Sequence, residues 1–311
     1  MCLAYKKPLG FIFFLVVFFF PVLYSHADTV VDTDITSNTT WDTAGSPYII
    51  SNTIHVNSGA TLTINPGVVV QFDDGKIYVS GSVLADGGAG STIFFTSVSD
   101  TTIPGSSTDE SYIGLTPAPG DYAGFVFYGG ASATFSNVEM RYADTAITDY
   151  GANISIENAN FNNSNIGILA YNGTFNLANN TFSHNTIPLQ VNYRCDFTHS
   201  GNSFSDNIYD GIGMIDNFVG NYIYTAEESP YILFSTPQVL EGVTVTVSPG
   251  VSFQSDEMSN YISVIGGVLN AIGTPSNKII FDGVPLQVVF GGTLTVHNAD
   301  IKNISGTAVY V

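Results

Sequence analysis

The sequence carries one short motif four times, written NVEMRY at residues 137–142, NANFNN at 158–163, NNTFSH at 179–184 and GNSFSD at 201–206. The fourth residue is apolar each time, so that Met140, Phe161, Phe182 and Phe204 follow one another at intervals of 21, 21 and 22 residues. Two more apolar columns follow this spacing, with a slightly longer last step to Ile212. They are Ala133, Ile154, Phe175 and Phe197 before the motif and Ile147, Ile168, Leu189 and Ile212 after it. A period of about 20 to 25 residues is typical of a solenoid.

The apolar residues within one period alternate with polar ones, since Thr134 separates Ala133 from Phe135 and Ser155 separates Ile154 from Ile156. Alternation indicates β-strands, because successive side chains of a strand point to opposite faces. Charged residues make up only 11% of the chain, which is rich in Gly, Asn, Ser, Thr and β-branched residues. Gly and β-branched residues are poor helix formers, so we predict an all-β protein. Leucine-rich repeats share the period, but their leucine-rich consensus is absent.

A longer repeat is also present, since TLTINPGVVVQF at residues 61–72 reappears as TVTVSPGVSFQS at 244–255, with Pro66 and Pro249 in equivalent positions. Each copy reads as a strand, a Pro-Gly corner and a second strand. We therefore predict a first module over residues 28–221 and a second, continuous module over 222–311.

The first module contains residues that the second lacks, and they fall in residues 97–124, which read as a loop leaving the solenoid. Loops on a rigid scaffold often carry function. The second module stops at Val311 inside an apolar run, whereas the last coil of a solenoid needs a polar cap to cover its core. We therefore expect this reading frame to be truncated or a fragment.

The repeats resemble the right-handed parallel β-helix of pectate lyase-like proteins, in which each coil contributes short parallel strands. The resemblance implies a right-handed parallel β-helix with coils of about 21 residues. It also implies an inward asparagine ladder, to which Asn137, Asn158 and Asn179 correspond before Gly201 ends it. An amide can satisfy the coils above and below it, because it carries both donors and acceptors.

The first 27 residues read as a secretory signal peptide, because Lys6 and Lys7 precede an apolar stretch at residues 9–24 that ends in Ser-His-Ala. This stretch is short for a membrane span, and no later segment is apolar enough for one. We expect a secreted or cell-surface protein that begins at Asp28 and has no transmembrane segment. Cys195 is then the single remaining cysteine and cannot form an internal disulfide.

The chain is strongly acidic, with 26 Asp and Glu residues against seven Lys and Arg residues and a formal net charge of −19. Such a surface repels nucleic acid, anionic lipid and acidic polysaccharides unless a cation bridges them. Polysaccharides and components of a cell surface or matrix remain the expected partners, and nucleic acid is excluded.

No set of residues converges on a catalytic or metal site in the sequence. The pair Asp73-Asp74 precedes Gly75 and reads as a solvated bend, where neighbouring side chains diverge. Arg141 and Arg194 occupy different places in their coils. The histidines have no close metal-binding spacing, so we predict no catalytic residues, no metal and no cofactor.

The best cluster across coils lies two residues after each apolar anchor, where Tyr142, Asn163, His184 and Asp206 follow the repeat. Since coils stack about 4.8 Å apart, these side chains form one column that suits a neutral sugar chain. We expect an exported structural or surface protein that binds glycans or surfaces without catalysis. The alternative is a polysaccharide lyase or glycoside hydrolase of the pectate lyase-like class, with its site beside the 97–124 loop or this column.

Overall fold

The computed structural model describes residues 28–88, 90–227, 230–256 and 260–311. The predicted signal peptide, residues 1–27, lies outside the described residues. The described residues form 34 β-strands and no helix. The all-β prediction is therefore confirmed.

The strands are two to six residues long. In the first part of the chain they are β1 (Thr29–Val31), β2 (Thr39–Trp41), β3 (Tyr48–Ile50), β4 (Thr53–Val56), β5 (Thr61–Ile64), β6 (Val69–Phe72), β7 (Lys76–Val79), β8 (Ser82–Asp86), β9 (Ile93–Ser97), β10 (Phe125–Tyr128), β11 (Ser132–Ser136), β12 (Val138–Arg141), β13 (Thr145–Tyr150), β14 (Asn153–Glu157), β15 (Asn160–Asn162), β16 (Ile166–Ala170) and β17 (Thr174–Ala178). They continue as β18 (Thr181–Ser183), β19 (Ile187–Asn192), β20 (Asp196–Ser200), β21 (Ser203–Ser205), β22 (Ile212–Ile215), β23 (Tyr222–Tyr224), β24 (Tyr231–Leu233), β25 (Gln238–Leu240), β26 (Thr244–Val247), β27 (Ser252–Ser255), β28 (Ile262–Ile265), β29 (Val268–Ile272), β30 (Ile279–Asp282), β31 (Leu286–Val289), β32 (Thr293–His297), β33 (Ala299–Lys302) and β34 (Val309–Tyr310).

Strands from successive coils pair in parallel and build five sheets. Sheet 1 has the order β1-β3-β6-β9-β12-β15-β18-β21, sheet 2 the order β4-β7-β10-β13-β16-β19-β22-β24-β27-β30-β33, and sheet 3 the order β2-β5-β8-β11-β14-β17-β20. Sheet 4 contains β23-β26-β29-β32 and sheet 5 contains β25-β28-β31-β34. The chain forms a parallel β-solenoid of about 13 turns, with turns about 22 residues apart.

The apolar columns of the sequence are stacked columns of the core. Met140 pairs with Phe161, Phe161 with Phe182 and Phe182 with Phe204 in sheet 1. The rings of Phe161 and Phe182 are nearly parallel, with centroids 4.9 Å apart and planes 9° apart. The predicted coil length is confirmed, because a step of about 21 residues returns the chain to the same place one coil on.

The Pro-Gly corners of both sequence copies turn the chain between two strands as predicted. Pro66 and Gly67 separate β5 from β6, and Pro249 and Gly250 separate β26 from β27. Both glycines have positive φ, at 80° and 88°. This backbone region favours glycine because a side chain there is strained.

The inward amide ladder lies elsewhere than at Asn137, Asn158 and Asn179. These residues have φ values of 51°, 54° and 55°, and the latter two are exposed. The left-handed turn directs them away from the core, and the next residue, Asn180, points inward instead. Its Oδ1 accepts the Ala159 N–H at 2.9 Å, and its Nδ2 donates to the Ile156 carbonyl at 3.0 Å.

The described coils contain two such ladders. In the first, Asn202 Oδ1 accepts from Asn180 Nδ2 at 2.9 Å. In the second, Asn185 Oδ1 accepts the Ser164 N–H at 3.0 Å, and Asn207 Oδ1 accepts from Asn185 Nδ2 at 3.0 Å. The ladders satisfy backbone groups that the corners bury. This is the role that the sequence predicted for a ladder at Asn137, Asn158 and Asn179.

The second sequence copy enters the solenoid in a different phase from the first. β3, β6 and β9 lie in sheet 1, whereas their sequence counterparts β24, β27 and β30 lie in sheet 2. In the described chain only β23 lies between β22 and β24, whereas two strands lie between β19 and β22. One strand fewer in the linking coil moves the whole copy to the neighbouring sheet.

Replacing Phe182 tests the stacked core. Its ring is fully buried between Phe161 and Phe204, so we expect Phe182→Ala to cost about 3–5 kcal/mol and to lower the urea midpoint clearly. Phe290→Ala is the control, because the Phe290 side chain is 87% exposed. Equal midpoints for the two variants would contradict the stacking of this column.

Candidate functional site on the outer face of sheet 1

The outer face of sheet 1 is a regular array of small polar groups in its later coils. Side chains that alternate with the core phenylalanines point outward there, and they are Asn160, Asn162, Thr181, Ser183, Ser203 and Ser205. Charged groups occur one coil earlier, where Glu139 and Arg141 hold the same two outward positions in β12. The face therefore changes from charged to neutral along the solenoid.

Residues 98–124 leave the strands between β9 and β10 and pack on the charged end of this face. Gln71 on β6 is fully buried beneath them. Its Nε2 donates to the carbonyls of Ser97 and Asp100 at 3.2 Å, and its Oε1 accepts the Ser107 N–H. Ile103 is also buried, so this segment is held against the sheet.

The buried carboxylate of Asp100 joins this segment to the sheet. Its Oδ2 accepts the Thr96 hydroxyl at 2.8 Å, and its Oδ1 accepts the Thr102 hydroxyl at 2.6 Å. Arg141 Nε lies 2.9 Å from Asp100 Oδ2 and 3.7 Å from Glu139 Oε1. The Asp100 side chain is fully buried, so both of its oxygens serve these structural contacts.

The outer part of the same segment contacts the bend at Asp73. The Tyr112 hydroxyl donates to Asp73 Oδ2 at 3.0 Å. Burial, helped by this carboxylate, raises the pKa of Tyr112 to about 12. Asp73 therefore accepts a structural hydrogen bond, and the neighbouring Asp74 has a φ of 60° at the bend.

The structure aligns Tyr142, Asn163, His184 and Asp206 in equivalent turns beside sheet 1. All four have left-handed φ values, between 52° and 67°. The backbone connects them, since Tyr142 N donates to Asn162 O, Asn163 N to Ser183 O and His184 N to Ser205 O, at 3.2–3.4 Å. The sequence-predicted column thus consists of neighbouring turns, and its role in glycan binding stays a prediction.

The four side chains of this column differ in their surroundings. His184 and Asp206 are exposed, whereas Tyr142 and Asn163 are partly covered. Burial, followed by the nearby Asp100 carboxylate, raises the pKa of Tyr142. Among the described residues, no hydrogen bond or ion pair joins His184 to Asp206. The column therefore presents hydrogen-bonding groups without a preformed acid–base pair.

Arg141 and Arg194 do not converge. Arg141 is held under the 98–124 segment, whereas Arg194 is exposed after β19. Within the described residues, no group of three or more His, Cys, Asp and Glu side chains is placed to hold a metal ion.

Cys195 and Asp149 lie buried in the interior at the corner between sheets 2 and 3. Burial raises the pKa of the Cys195 thiol to about 12, and Sγ contacts the Ala170 carbonyl at 3.4 Å. A thiol of this kind is a poor nucleophile. The Asp149 Oδ1 accepts the Ala152 N–H at 2.7 Å, whereas its Oδ2 has no hydrogen-bond partner among the described residues.

Sequence reasoning missed Asp100 and Gln71 as the residues that fix the loop. Gln71 holds an outward position in an alternating strand, and Asp100 lies among the polar residues of a loop. The 21-residue repeat therefore marks neither of them as a functional or structural site. Their role depends on the path of residues 98–124, which local sequence does not specify.

No protein-family model matches the chain, and neither the curated proteins nor the solved structures include a significant match. In the part of the chain that the structure describes, there is no helix long and apolar enough to cross a membrane.

We predict that Arg141→Met loosens residues 98–124. Asp100 would then be a buried carboxylate without its cation. Such a loss costs about 3–5 kcal/mol in a fully buried pair and less here, because the Arg141 side chain is 17% exposed. Chymotrypsin should cleave after Tyr112 at least about tenfold faster, as followed by mass spectrometry. Arg194→Met is the control for an exposed arginine. Adding Asp100→Asn to Arg141→Met should slow cleavage again, and unchanged cleavage in Arg141→Met would contradict the role of the ion pair.

The buried Asp149 predicts a pH-dependent stability. Burial raises the pKa of Asp149 from 3.8 to about 6, against the opposing hydrogen bonds from Ala152 and Gly151. The folded chain then holds this proton more tightly than the unfolded chain, so its stabilising contribution is complete below pH 3.8 and is lost as the pH rises to about 6.

Asp149→Asn removes this titration and keeps an acceptor for the Ala152 N–H. The variant should match the wild type in Tm near pH 3.5 and exceed it near pH 7, as measured by calorimetry in roughly half-unit pH steps. Asp196→Asn, at an exposed site, is the control. A Tm difference that stays constant across this range would refute the effect.

Proposed function

We propose that the chain is exported to the cell surface or the medium and binds glycans or other surfaces through its long side faces, without catalysis. The predicted signal peptide at residues 1–27 supports export. The acidic charge, with a formal value of −19, favours neutral partners over nucleic acid and acidic glycans.

The observation that best supports a function without catalysis is the environment of Asp100. It is the buried carboxylate beside an arginine, the combination that a carbohydrate-active site on this face could use. Both of its oxygens are occupied by threonine hydroxyls and by Arg141. A general acid or base needs a proton that the substrate can reach, and this carboxylate is covered by residues 98–124.

The pectate lyase-like class is the finer part of the proposal. It is supported by stacked coils, by inward amide ladders at Asn180 and Asn185, and by a loop packed beside a parallel sheet. Fold and activity vary independently, so this likeness carries no substrate with it.

A screen of the exported protein on a panel of neutral and acidic polysaccharides tests the proposal. The protein is recovered from the culture medium, where its first residue should be Asp28. Binding is measured by affinity gel electrophoresis, and turnover by new reducing ends or by the ultraviolet absorbance of unsaturated products. We expect retardation by at least one neutral polysaccharide and no turnover.

The variants His184→Ala and Asp206→Ala separate this proposal from the enzyme alternative. Turnover that both changes abolish would establish a lyase or hydrolase and overturn the proposal. His297→Ala is the matched control, because His297 is also exposed but lies on sheet 4. The proposal would also be overturned if the protein neither bound nor cleaved any polysaccharide of the panel.

A further inference from the structure

A column of stacked aromatic side chains runs across the outer face of sheet 2. Ring centroids are 5.2 Å apart between His55 and Tyr78, 5.7 Å between Tyr78 and Tyr128, 6.0 Å between Tyr128 and Tyr150, and 5.2 Å between Tyr150 and Tyr171. The last pair is parallel within 2°. These rings occur on five successive coils, but Tyr78 is in register with Val126 rather than with Tyr128, so the row shifts sideways by two residues at that step. Tyr128, Tyr150 and Tyr171 lie in one straight row, roughly 10 Å long at the strand spacing of about 4.8 Å.

Three of these tyrosines are well exposed, at 42% for Tyr128, 49% for Tyr150 and 37% for Tyr171. Their ring faces cover one another, so the surface open to solvent consists mainly of ring edges and hydroxyl groups. On the outer face of sheet 3, equivalent positions carry Thr134, Ser155 and similar small residues. A sheet of this solenoid can therefore form without a row of stacked aromatic rings on its outer face.

The strands that carry the column have almost no charged side chains on their outer face. A parallel row on the same face holds Tyr78, Val126, Thr148, Leu169 and Gln190. Among the described residues of sheet 2 that point outward from β4 to β19, Lys76 is the single charged residue. Its Nζ lies 5.7 Å from the Tyr78 ring centroid. This is an uncharged band on a chain with 26 acidic residues.

Contiguous exposed apolar surface rimmed by polar groups marks interaction sites, and tyrosine is enriched in them because it joins an apolar ring to a hydroxyl. The band excludes a charged ligand as its best occupant. An anion would meet the acidic protein around it, and a polycation would find no carboxylate within it. A neutral polymer with regularly repeated hydroxyl groups and apolar C–H faces fits both observations.

We propose that Tyr128, Tyr150 and Tyr171 form a binding site for one extended, neutral β-1,4-linked polysaccharide chain lying along the solenoid axis. Successive sugar units of such a chain repeat at close to the strand spacing of about 4.8 Å. Each tyrosine can then contact one sugar, with its hydroxyl hydrogen-bonded to a sugar hydroxyl and its exposed ring edge in van der Waals contact with the sugar ring. This inference rests on the proposed glycan-binding function and specifies its ligand class.

The test measures depletion of the full exported chain from solution by swollen cellulose and by chitin, with polygalacturonate as the acidic comparison. The double variant Tyr128→Ser/Tyr150→Ser should lose at least about tenfold in affinity. Tyr150→Phe keeps the ring stack and removes one hydroxyl, so it should lose about threefold. Tyr310→Ser is the control, because Tyr310 is 44% exposed on sheet 5.

Urea midpoints and far-ultraviolet circular dichroism establish that each variant is folded, and Tyr150→Phe carries the test if the double variant is not. Binding to cellulose or chitin that both tyrosine variants retain at full strength would overturn the column while leaving the proposed function intact. Preference for polygalacturonate would overturn the neutral ligand. Release of soluble sugar would instead overturn the non-catalytic function, whatever the column does.

Discussion

Parallel pairing of each coil with the next is the constraint on which the rest of this structure depends. A residue and its equivalent about 21 positions later become neighbours, so any side chain that recurs once per coil becomes a column. Inside the solenoid this gives stacked phenylalanines and amide ladders. Outside, the same rule aligns tyrosines on sheet 2 and small hydroxyl residues on sheet 1. Core and surface are therefore ordered by one spacing.

Much of the fold was predictable from the sequence because an apolar period is a direct record of this stacking. The columns through Phe161 and Ile168 needed only counting. The ladder was predicted at Asn179 instead of the next residue, Asn180, because Asn179 takes a left-handed backbone conformation that the period alone does not reveal. The second ladder, at Asn185 and Asn207, was missed. The phase of the second copy was missed as well, since it depends on how many strands the linking coil forms.

The surface was harder to predict than the core. The column at Tyr142 and His184 followed from the period and proved to be a row of equivalent turns. The tyrosines at 128, 150 and 171 keep nearly the same period, and each precedes a positive-φ glycine by one or two residues. The tyrosine row could therefore have been predicted from the sequence, but it lies outside the apolar anchor positions. The contacts of Asp100 had no such signal, because they arise from the path of an irregular segment.

The change of phase between the two sequence copies affects how gene duplication acts on such a molecule. Equivalent strands of the copies, such as β6 and β27, belong to different sheets and so look out from different sides of the solenoid axis. The second copy therefore does not extend a surface of the first copy with an identical patch. The related strands of the two copies therefore contribute to two separate outer surfaces of the solenoid.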